Sequence, residues 1–329
     1  MIRARTALTG LLVVLSLAAC STPLPLPEPA PPAAVAPPVL SVSQTANVLT
    51  DLGQVLAAGD AALDPALLTP RVVGPALAMR TAEYQRAAAT AGERQPTALP
   101  TDGQVTVVPQ STTWPRVQLV VTEQPADLQV PRVLVLEQPS PRDRYALWGW
   151  ARMFPGVSMP ATADPADGSP VLDPADGDLT MAPDQVLAAY ADLLTSGDAS
   201  ANAAAFAPDP FRDQIGAARQ TLATNVQEIG ALAETYTPDG PPLTVIGTAD
   251  GGALVVGSMT TVSTVTISVA GATLKLPAFE AAVTGVPEAR TSVVWTYTDV
   301  LVFRVPPAGS ADAVQLIAAE HQVTSVGAQ

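Results

Sequence analysis

The feature that most constrains the fold of this chain is an internal repeat. Residues 47–61 (NVLTDLGQVLAAGDA) and 185–199 (QVLAAYADLLTSGDA) align without gaps, with identical residues at six positions. Further on, Val133-Leu134-Val135 is matched by Val300-Leu301-Val302, and proline and another apolar run follow each. Chance similarity between alanine-rich helices is the alternative, but the elements follow in parallel order. The repeat therefore predicts two copies of one fold.

Each half begins with helical periodicity and ends with strand-like runs. In the first half, 44–160, helices are predicted near 44–58 and 72–90. Strands are predicted there near 104–109, 116–123, 131–137 and 143–152.

The second half, 183–329, follows the same order. One helix carries Val186, Leu187 and Tyr190 at helical spacing and stops at Gly197-Asp198, and a longer helix is predicted from about 211 to 236. Asp250-Gly251 is typical of a hairpin turn. Strands are predicted at 243–248, 252–259, 261–269, 292–305 and 313–326. The pattern predicts an α+β chain of two tandem domains.

An acidic linker is predicted between the halves, over 161–182. Asp164-Pro-Ala-Asp-Gly recurs there as Asp173-Pro-Ala-Asp-Gly, and proline and Asp-Gly pairs are typical of turns. Five acids without a base also suggest a calcium loop. The alternating oxygen ligands and the later glutamate of such a loop are missing, so a solvated linker is favoured.

Composition excludes several classes of function. Cys20 is the only cysteine and His321 the only histidine, which excludes multi-histidine and multi-cysteine metal sites. The net charge of −14, from 16 basic and 30 acidic side chains, repels nucleic acid. Neither a nucleotide-binding fingerprint nor the Gly-x-Ser-x-Gly turn of a serine hydrolase occurs. We expect no cofactor, no metal ion and no nucleic-acid partner.

The N-terminus resembles the signal and lipobox of bacterial lipoproteins. Arg3 and Arg5 precede an apolar run, 6–17, that is short for a membrane-spanning helix, and Leu17-Ala-Ala-Cys20 follows. In that family the cysteine is diacylated and the chain is cut in front of it. The resemblance implies a signal peptide at 1–19 and a lipid anchor on Cys20 at the extracytoplasmic face of the cell membrane. An ordinary signal peptide with an incidental cysteine, or an uncleaved anchor, is the alternative.

A proline-rich tether is predicted behind the lipidated cysteine, over 20–43. Eight of the twenty residues 21–40 are proline. Proline at this density favours polyproline II, which rises ~3.1 Å per residue and would hold a domain up to roughly 60 Å from the membrane. A proline-rich ligand for a recognition domain is the alternative.

The second half resembles the NTF2-like (cystatin-like) superfamily. The resemblance rests on a helical start, the passage from Gly197-Asp-Ala into Phe206-Ala-Pro-Asp, and the antiparallel strands that follow. Residues 181–194 (MAPDQVLAAYADLL) and 248–256 (TADGGALVV) are also similar to uncharacterised lipoproteins of high-GC Gram-positive bacteria, over roughly 170–329. The first resemblance implies helices under a curved antiparallel sheet, with a cone-shaped apolar pocket. It carries no catalytic motif onto this chain, and the second implies no chemistry.

Five residues are candidates for a ligand pocket. His321 is the only near-neutral base, but Glu320 beside it points to the opposite face of a strand and cannot orient it. An exposed or hydrogen-bonded histidine is therefore the alternative. Asp299 is a possible base in the second cone. Trp148 and Trp150 share a strand face with Arg152 and could stack on a sugar or an anionic ring, while core packing explains the tryptophans equally well.

These observations favour a non-enzymatic lipoprotein of the cell envelope that binds or scaffolds. Its expected partners are the membrane, through the N-terminal lipid, and envelope proteins or a small apolar ligand. The alternative is a small-molecule-binding protein or acid–base enzyme that uses an NTF2-like cone.

Overall fold

In the computed structural model, which describes residues 35–124 and 130–329, two helices precede the strands in each half, and a further short helix lies among the strands of the second half. The predicted signal peptide, Cys20 and most of the predicted tether lie outside the described residues. Val39 and Leu40, within the predicted tether, are buried, and Ser41 caps the first helix in a capping box with Gln44. The folded part therefore starts before residue 43.

The elements of the first half are α1 (Val42–Ala62), α2 (Gly74–Ala89), β1 (Gly103–Val107), β2 (Pro109–Gln110), β3 (Arg116–Thr122), β4 (Arg132–Gln138) and β5 (Ala146–Met153).

The second half repeats this order after a short strand, β6 (Ser169–Pro170), in the segment between the halves. Three 3-10 turns also occur in the described residues, Pro65–Leu68, Gly197–Ala199 and Ala203–Ala205. The elements of the second half are α3 (Pro183–Ser196), α4 (Pro210–Val226), β7 (Gly230–Pro238), β8 (Thr244–Gly247), β9 (Ala253–Ile267), β10 (Leu274–Lys275), α5 (Ala278–Thr284), β11 (Glu288–Ala289), β12 (Ser292–Val305) and β13 (Gln315–Ala328).

The helix predicted over 211–236 is wrong in its last part. The helix α4 ends at Val226, and residues 230–238 form β7. From Leu232 to Thr237, more buried residues alternate with exposed ones, which is the period of a half-buried strand. The two strands predicted over 252–259 and 261–269 form one long strand, β9, because every residue of Ala253–Ile267 pairs with β7, β8 or β12.

One antiparallel sheet runs through both halves. Its strand order is β1-β3-β4-β5-β13-β12-β9-β7, and β8 also pairs with β9. The last strands of the two halves, β5 and β13, pair at the centre through Met153–Ala318 and Arg152–Ala319. This mixed architecture confirms the α+β class. Val35–Gln329 form one compact unit, and the domain boundary at 161–182 stays a prediction.

The middle of β12 is buried on both faces of the sheet. In β12, Val300 and Val302 belong to a cluster with the first half's side chains, whereas Leu301 and Phe303 belong to a cluster under α3 and α4. Alternate residues of one strand therefore join two cores, as the period of two requires. Within the described residues, no helix is both long and apolar enough to cross a membrane.

Candidate functional site

A buried aspartate and the chain's only histidine meet across two strands of the second half. Asp299 in β12 lies opposite His321 in β13 in the antiparallel register. The Oδ1 atom of Asp299 is 2.5 Å from Nδ1 of His321, and Oδ2 accepts a hydrogen bond of 2.5 Å from Thr261 Oγ1 on β9. Asp299 is 0% exposed, so both carboxylate oxygens are held by protein groups away from water. The carboxylate fixes the orientation of the imidazole, and Nε2 is the other polar atom of that ring.

Two aromatic rings hold the imidazole of His321. Tyr297 stacks on it with the ring centroids 4.1 Å apart and an interplanar angle of 8°. Phe211, at the start of α4, meets the imidazole edge-on at 5.7 Å. Burial, and to a smaller extent nearby carboxylates, raise the pKa of Tyr297 to about 12, so its hydroxyl stays protonated at neutral pH. His321 is thus fixed by a carboxylate and by packing on two sides.

The histidine lines a cavity between the two halves' strands and α4. The cavity has a volume of about 470 Å³. The His321 side chain is 21% exposed, in contrast to its buried aspartate partner. The cavity is lined by Val130, Arg152, Met153, Phe154, Pro155, Pro210, Phe211, Gln214, Ala319, Glu320 and His321.

Arg152 and Glu320 add a second pair of polar groups to this cavity. An Nη2 atom of Arg152 lies 4.0 Å from Oε1 of Glu320, and their side chains are 49% and 7% exposed. Burial raises the pKa of Glu320, against the opposing effect of Arg152. Its Oε2 atom is buried and has no hydrogen-bond partner among the described residues. Glu320 is therefore held close to the cavity with one oxygen unsatisfied.

The pairing of β5 with β13 explains why these residues meet. The ladder between the two strands is two residue pairs long and includes Arg152–Ala319. Glu320 and His321 follow directly on β13 but have no partners on β5. The ladder therefore ends beside the cavity, and residues from both halves line it.

A hydrogen-bonded pair fixes the start of α4 above the cavity. Asp209 caps the helix by accepting from the backbone N–H of Arg212 at 2.8 Å, and Tyr190 in α3 donates to the same carboxylate at 2.9 Å. Burial raises the pKa of Asp209 and of Tyr190. These contacts hold Phe211 against His321.

Comparison with known proteins places the chain in a family. A family model described as a domain of unknown function, DUF8094, matches residues 36–328. The chain belongs to the DUF8094 family. The match covers both halves and includes Arg152, Asp299 and His321. No curated protein and no solved structure shows significant similarity to the chain.

The structure brings three of the five candidate residues of this DUF8094 member together. Asp299 and His321 are in contact, and Arg152 lines the same cavity. Trp150 is 0% exposed and lies 5.8 Å from the guanidinium of Arg80 in α2, and Trp148 packs near Gly74 at the start of α2. The tryptophans thus pack against the first half's helix and do not line the cavity.

Thr261, Tyr297 and Phe211 complete the site, although the sequence pattern did not indicate them. They lie on β9, β12 and α4, and only the strand register and the packing of α4 place them around His321. The alternation Tyr297-x-Asp299 was the available signal, because residues two apart share a strand face. No group of three or more potential metal ligands occurs in 35–124 and 130–329.

Proposed function

We propose that this DUF8094 protein is a lipoprotein of the cell envelope that binds a small molecule in the His321 cavity. The observation that carries this proposal is the cavity itself. Its volume of about 470 Å³ lies within the range of roughly 300–1,000 Å³ that is typical of ligand pockets. Aromatic and aliphatic walls with a few convergent polar groups are also typical of such pockets. A scaffolding role alone would require no open cavity here.

The membrane anchor in this proposal rests on the lipobox-like Leu17-Ala-Ala-Cys20. Mass spectrometry of protein from the membrane fraction is expected to show acylated Cys20 as the first residue. The Cys20→Ala variant is expected to leave the membrane fraction or to remain as uncleaved precursor. A variant that is processed and fractionates like the wild type would contradict the anchor.

The proposal includes a tandem NTF2-like arrangement. In both halves two helices precede antiparallel strands, with α5 inserted among those of the second half, and the central β5–β13 pair joins the strands of the two halves side by side. In this arrangement, the second copy's cone lies under α3 and α4 and contains Asp299.

Ligand binding can be tested by blocking the cavity. Gln214 is an exposed residue of α4 that lines the cavity, and Gln220 is an exposed residue of the same helix that does not. A small-molecule panel is screened by thermal shift against the wild type. Compounds that raise the melting temperature are expected to lose this effect in Gln214→Trp and to keep it in Gln220→Trp. Equal shifts in both variants would place the binding elsewhere.

The Asp299–His321 hydrogen bond favours acid–base catalysis as a second candidate function. A carboxylate on Nδ1 fixes the imidazole tautomer, which allows Nε2 to take up or release a proton. In that case a compound that binds in the cavity is converted by the wild type, and His321→Ala abolishes the conversion while the compound still binds. Binding without any change in the compound would favour the non-enzymatic function.

A further inference from the structure

We infer that the His321 cavity takes small molecules with an apolar body and a carboxylate, and that Arg152 binds the carboxylate. This inference rests on the proposed function, because it specifies the ligand of the same cavity. It follows from the available hydrogen-bond donors of Arg152, from the acidic groups near it and from the apolar walls of the cavity.

The guanidinium of Arg152 has N–H donors that are available to a ligand. Among the described residues, its ionic contact is the one with Glu320 at 4.0 Å, which is too long for a hydrogen bond. A guanidinium has five N–H donors in a planar fork that matches a carboxylate. By contrast, Arg80 is 0% exposed and contacts Asp60, Glu83 and the carbonyl of Thr97 within the protein. Arg152 is half exposed and lines the cavity.

The nearby acidic groups leave the charge of Arg152 available. Asp299 is fully buried and bonded to His321 and Thr261, so it does not face the cavity as a free carboxylate. Glu320 is buried, and its Oε1 atom is 4.0 Å from Nη2 of Arg152, which is beyond hydrogen-bond distance. Glu320 therefore does not occupy the N–H donors of the guanidinium. The cavity therefore presents a positive group despite the acidity of the whole chain.

The remaining walls suit an apolar body. Met153, Phe154 and Phe211 line the cavity together with two prolines, Val130 and Ala319. Aromatic and thioether side chains pack well against flat or aliphatic groups. A ligand that is charged throughout would leave these walls in contact with polar atoms, whereas a carboxylate at one end of an apolar group would match both parts of the cavity.

The test compares two compounds of the same shape. The full-length protein in detergent is titrated calorimetrically with 2-naphthoate and with 2-naphthamide, which keeps the ring system and lacks the charge; detergent alone is the blank. The wild type is expected to bind 2-naphthoate at least tenfold more tightly. Arg152→Gln is expected to remove this preference while 2-naphthamide still binds. Arg290→Gln, at a side chain that is 75% exposed and does not line the cavity, is the matched control and is expected to keep it.

Each outcome decides the inference. Equal affinity for the two compounds, or a preference that survives in Arg152→Gln, would overturn the carboxylate specificity and leave the binding function standing. If the wild type bound neither compound, the result would count against both the carboxylate specificity and the proposed binding function. If Arg152→Gln fails to fold, Arg152→Lys provides the comparison. It keeps the charge without the planar fork and is expected to lower the preference for 2-naphthoate without abolishing it.

Discussion

In both halves of this protein two helices precede antiparallel strands, but the halves hold their buried charges differently. In the first half, Arg80 of α2 is 0% exposed and donates to Glu83 at 2.7 Å, to the carbonyl of Thr97 at 2.7 Å and to Asp60 at 3.1 Å. In the second half, Asp299 is equally buried, but its partner His321 is 21% exposed and lines a cavity. The Arg80 guanidinium is held by protein groups, with only Asp60 of its carboxylate partners partly exposed, whereas His321 lines a cavity that a ligand can enter.

The alignment of the two halves shows which positions in the sequence carry this difference. When Val133-Leu134-Val135 is aligned with Val300-Leu301-Val302, Arg132 stands at the position of Asp299. Both residues are buried, at 2% and 0% exposure, and their charges are opposite. Each half thus has a buried charged residue at the aligned position, but only in the second half does this residue pair with a histidine. Similarity in sequence at one position does not imply a shared site.

The largest expected effect comes from separating the two halves. A chain of residues 183–329 alone would expose side chains that the first half covers in the intact protein, among them Ile246, Val256, Val300, Val302 and Ile317. Burying one such side chain is worth about 1.5–3 kcal/mol, so we expect a loss of roughly 5 kcal/mol or more in the free energy of unfolding. Urea denaturation measures this loss, and the binding of a hydrophobic dye reports the apolar surface that becomes exposed.

The control for this separation is the full chain cut at a protease site inserted within 161–182, whose two pieces are expected to stay associated. If the separate second half proved as stable as the whole protein, the halves would be independent domains at the predicted boundary.

The next largest effect is expected at the Arg80 cluster of the first half. Arg80→Met removes the cation and leaves Glu83, which is 4% exposed, as a buried carboxylate without its charged partner. We expect a loss of about 3–5 kcal/mol in urea denaturation. The double variant Arg80→Met with Glu83→Gln is expected to recover part of the loss. A cost below about 1 kcal/mol for Arg80→Met would show that the cluster does not hold the first half together.

A smaller effect is expected at the Asp299–His321 pair of the second half. Asp299→Asn keeps the shape of the side chain and an acceptor oxygen but removes the charge, at a cost of about 1.5–3 kcal/mol. His321→Gln removes the partner, and the double variant is expected to cost less than the sum of the two single variants. Strict additivity of the three unfolding free energies would mean that the 2.5 Å contact contributes no coupling.

The smallest effect concerns pH and Glu320. Because burial raises the pKa of this carboxyl group, the folded protein binds the proton more tightly than the unfolded chain does. The free energy of unfolding therefore falls as pH rises from about 4.3, the ordinary glutamate value, through the raised one. Glu320→Gln does not show this pH-dependent loss, and it is expected to match the wild type near pH 4 and to exceed its stability at pH 8.

Asp209, whose pKa burial also raises, titrates in both proteins and cancels in this comparison. The exposed substitution Glu93→Gln serves as the control. A constant difference between Glu320→Gln and the wild type at all pH values would contradict the raised pKa.

The sequence by itself determined the local elements and their order. Apolar periodicity indicated α1, α2, α3 and the strands β3, β4, β5, β12 and β13 within a few residues of their observed ends. These patterns are readable because a helix or strand buries the same face along its own length. The prediction failed at 230–236, where an alanine-rich segment is compatible with a helix but pairs with β9 as a strand.

The tertiary structure alone decided the site. His321 and Asp299 were candidates, but their contact depends on the register between β12 and β13. Arg152 joins them because β5 pairs with β13, which brings together residues from the two halves of the chain. A periodic pattern reports which residues of one element are buried, and it carries no information about which residue of another strand lies opposite. Strand pairing therefore turned single polar residues into a cavity with a histidine, a buried carboxylate and an arginine.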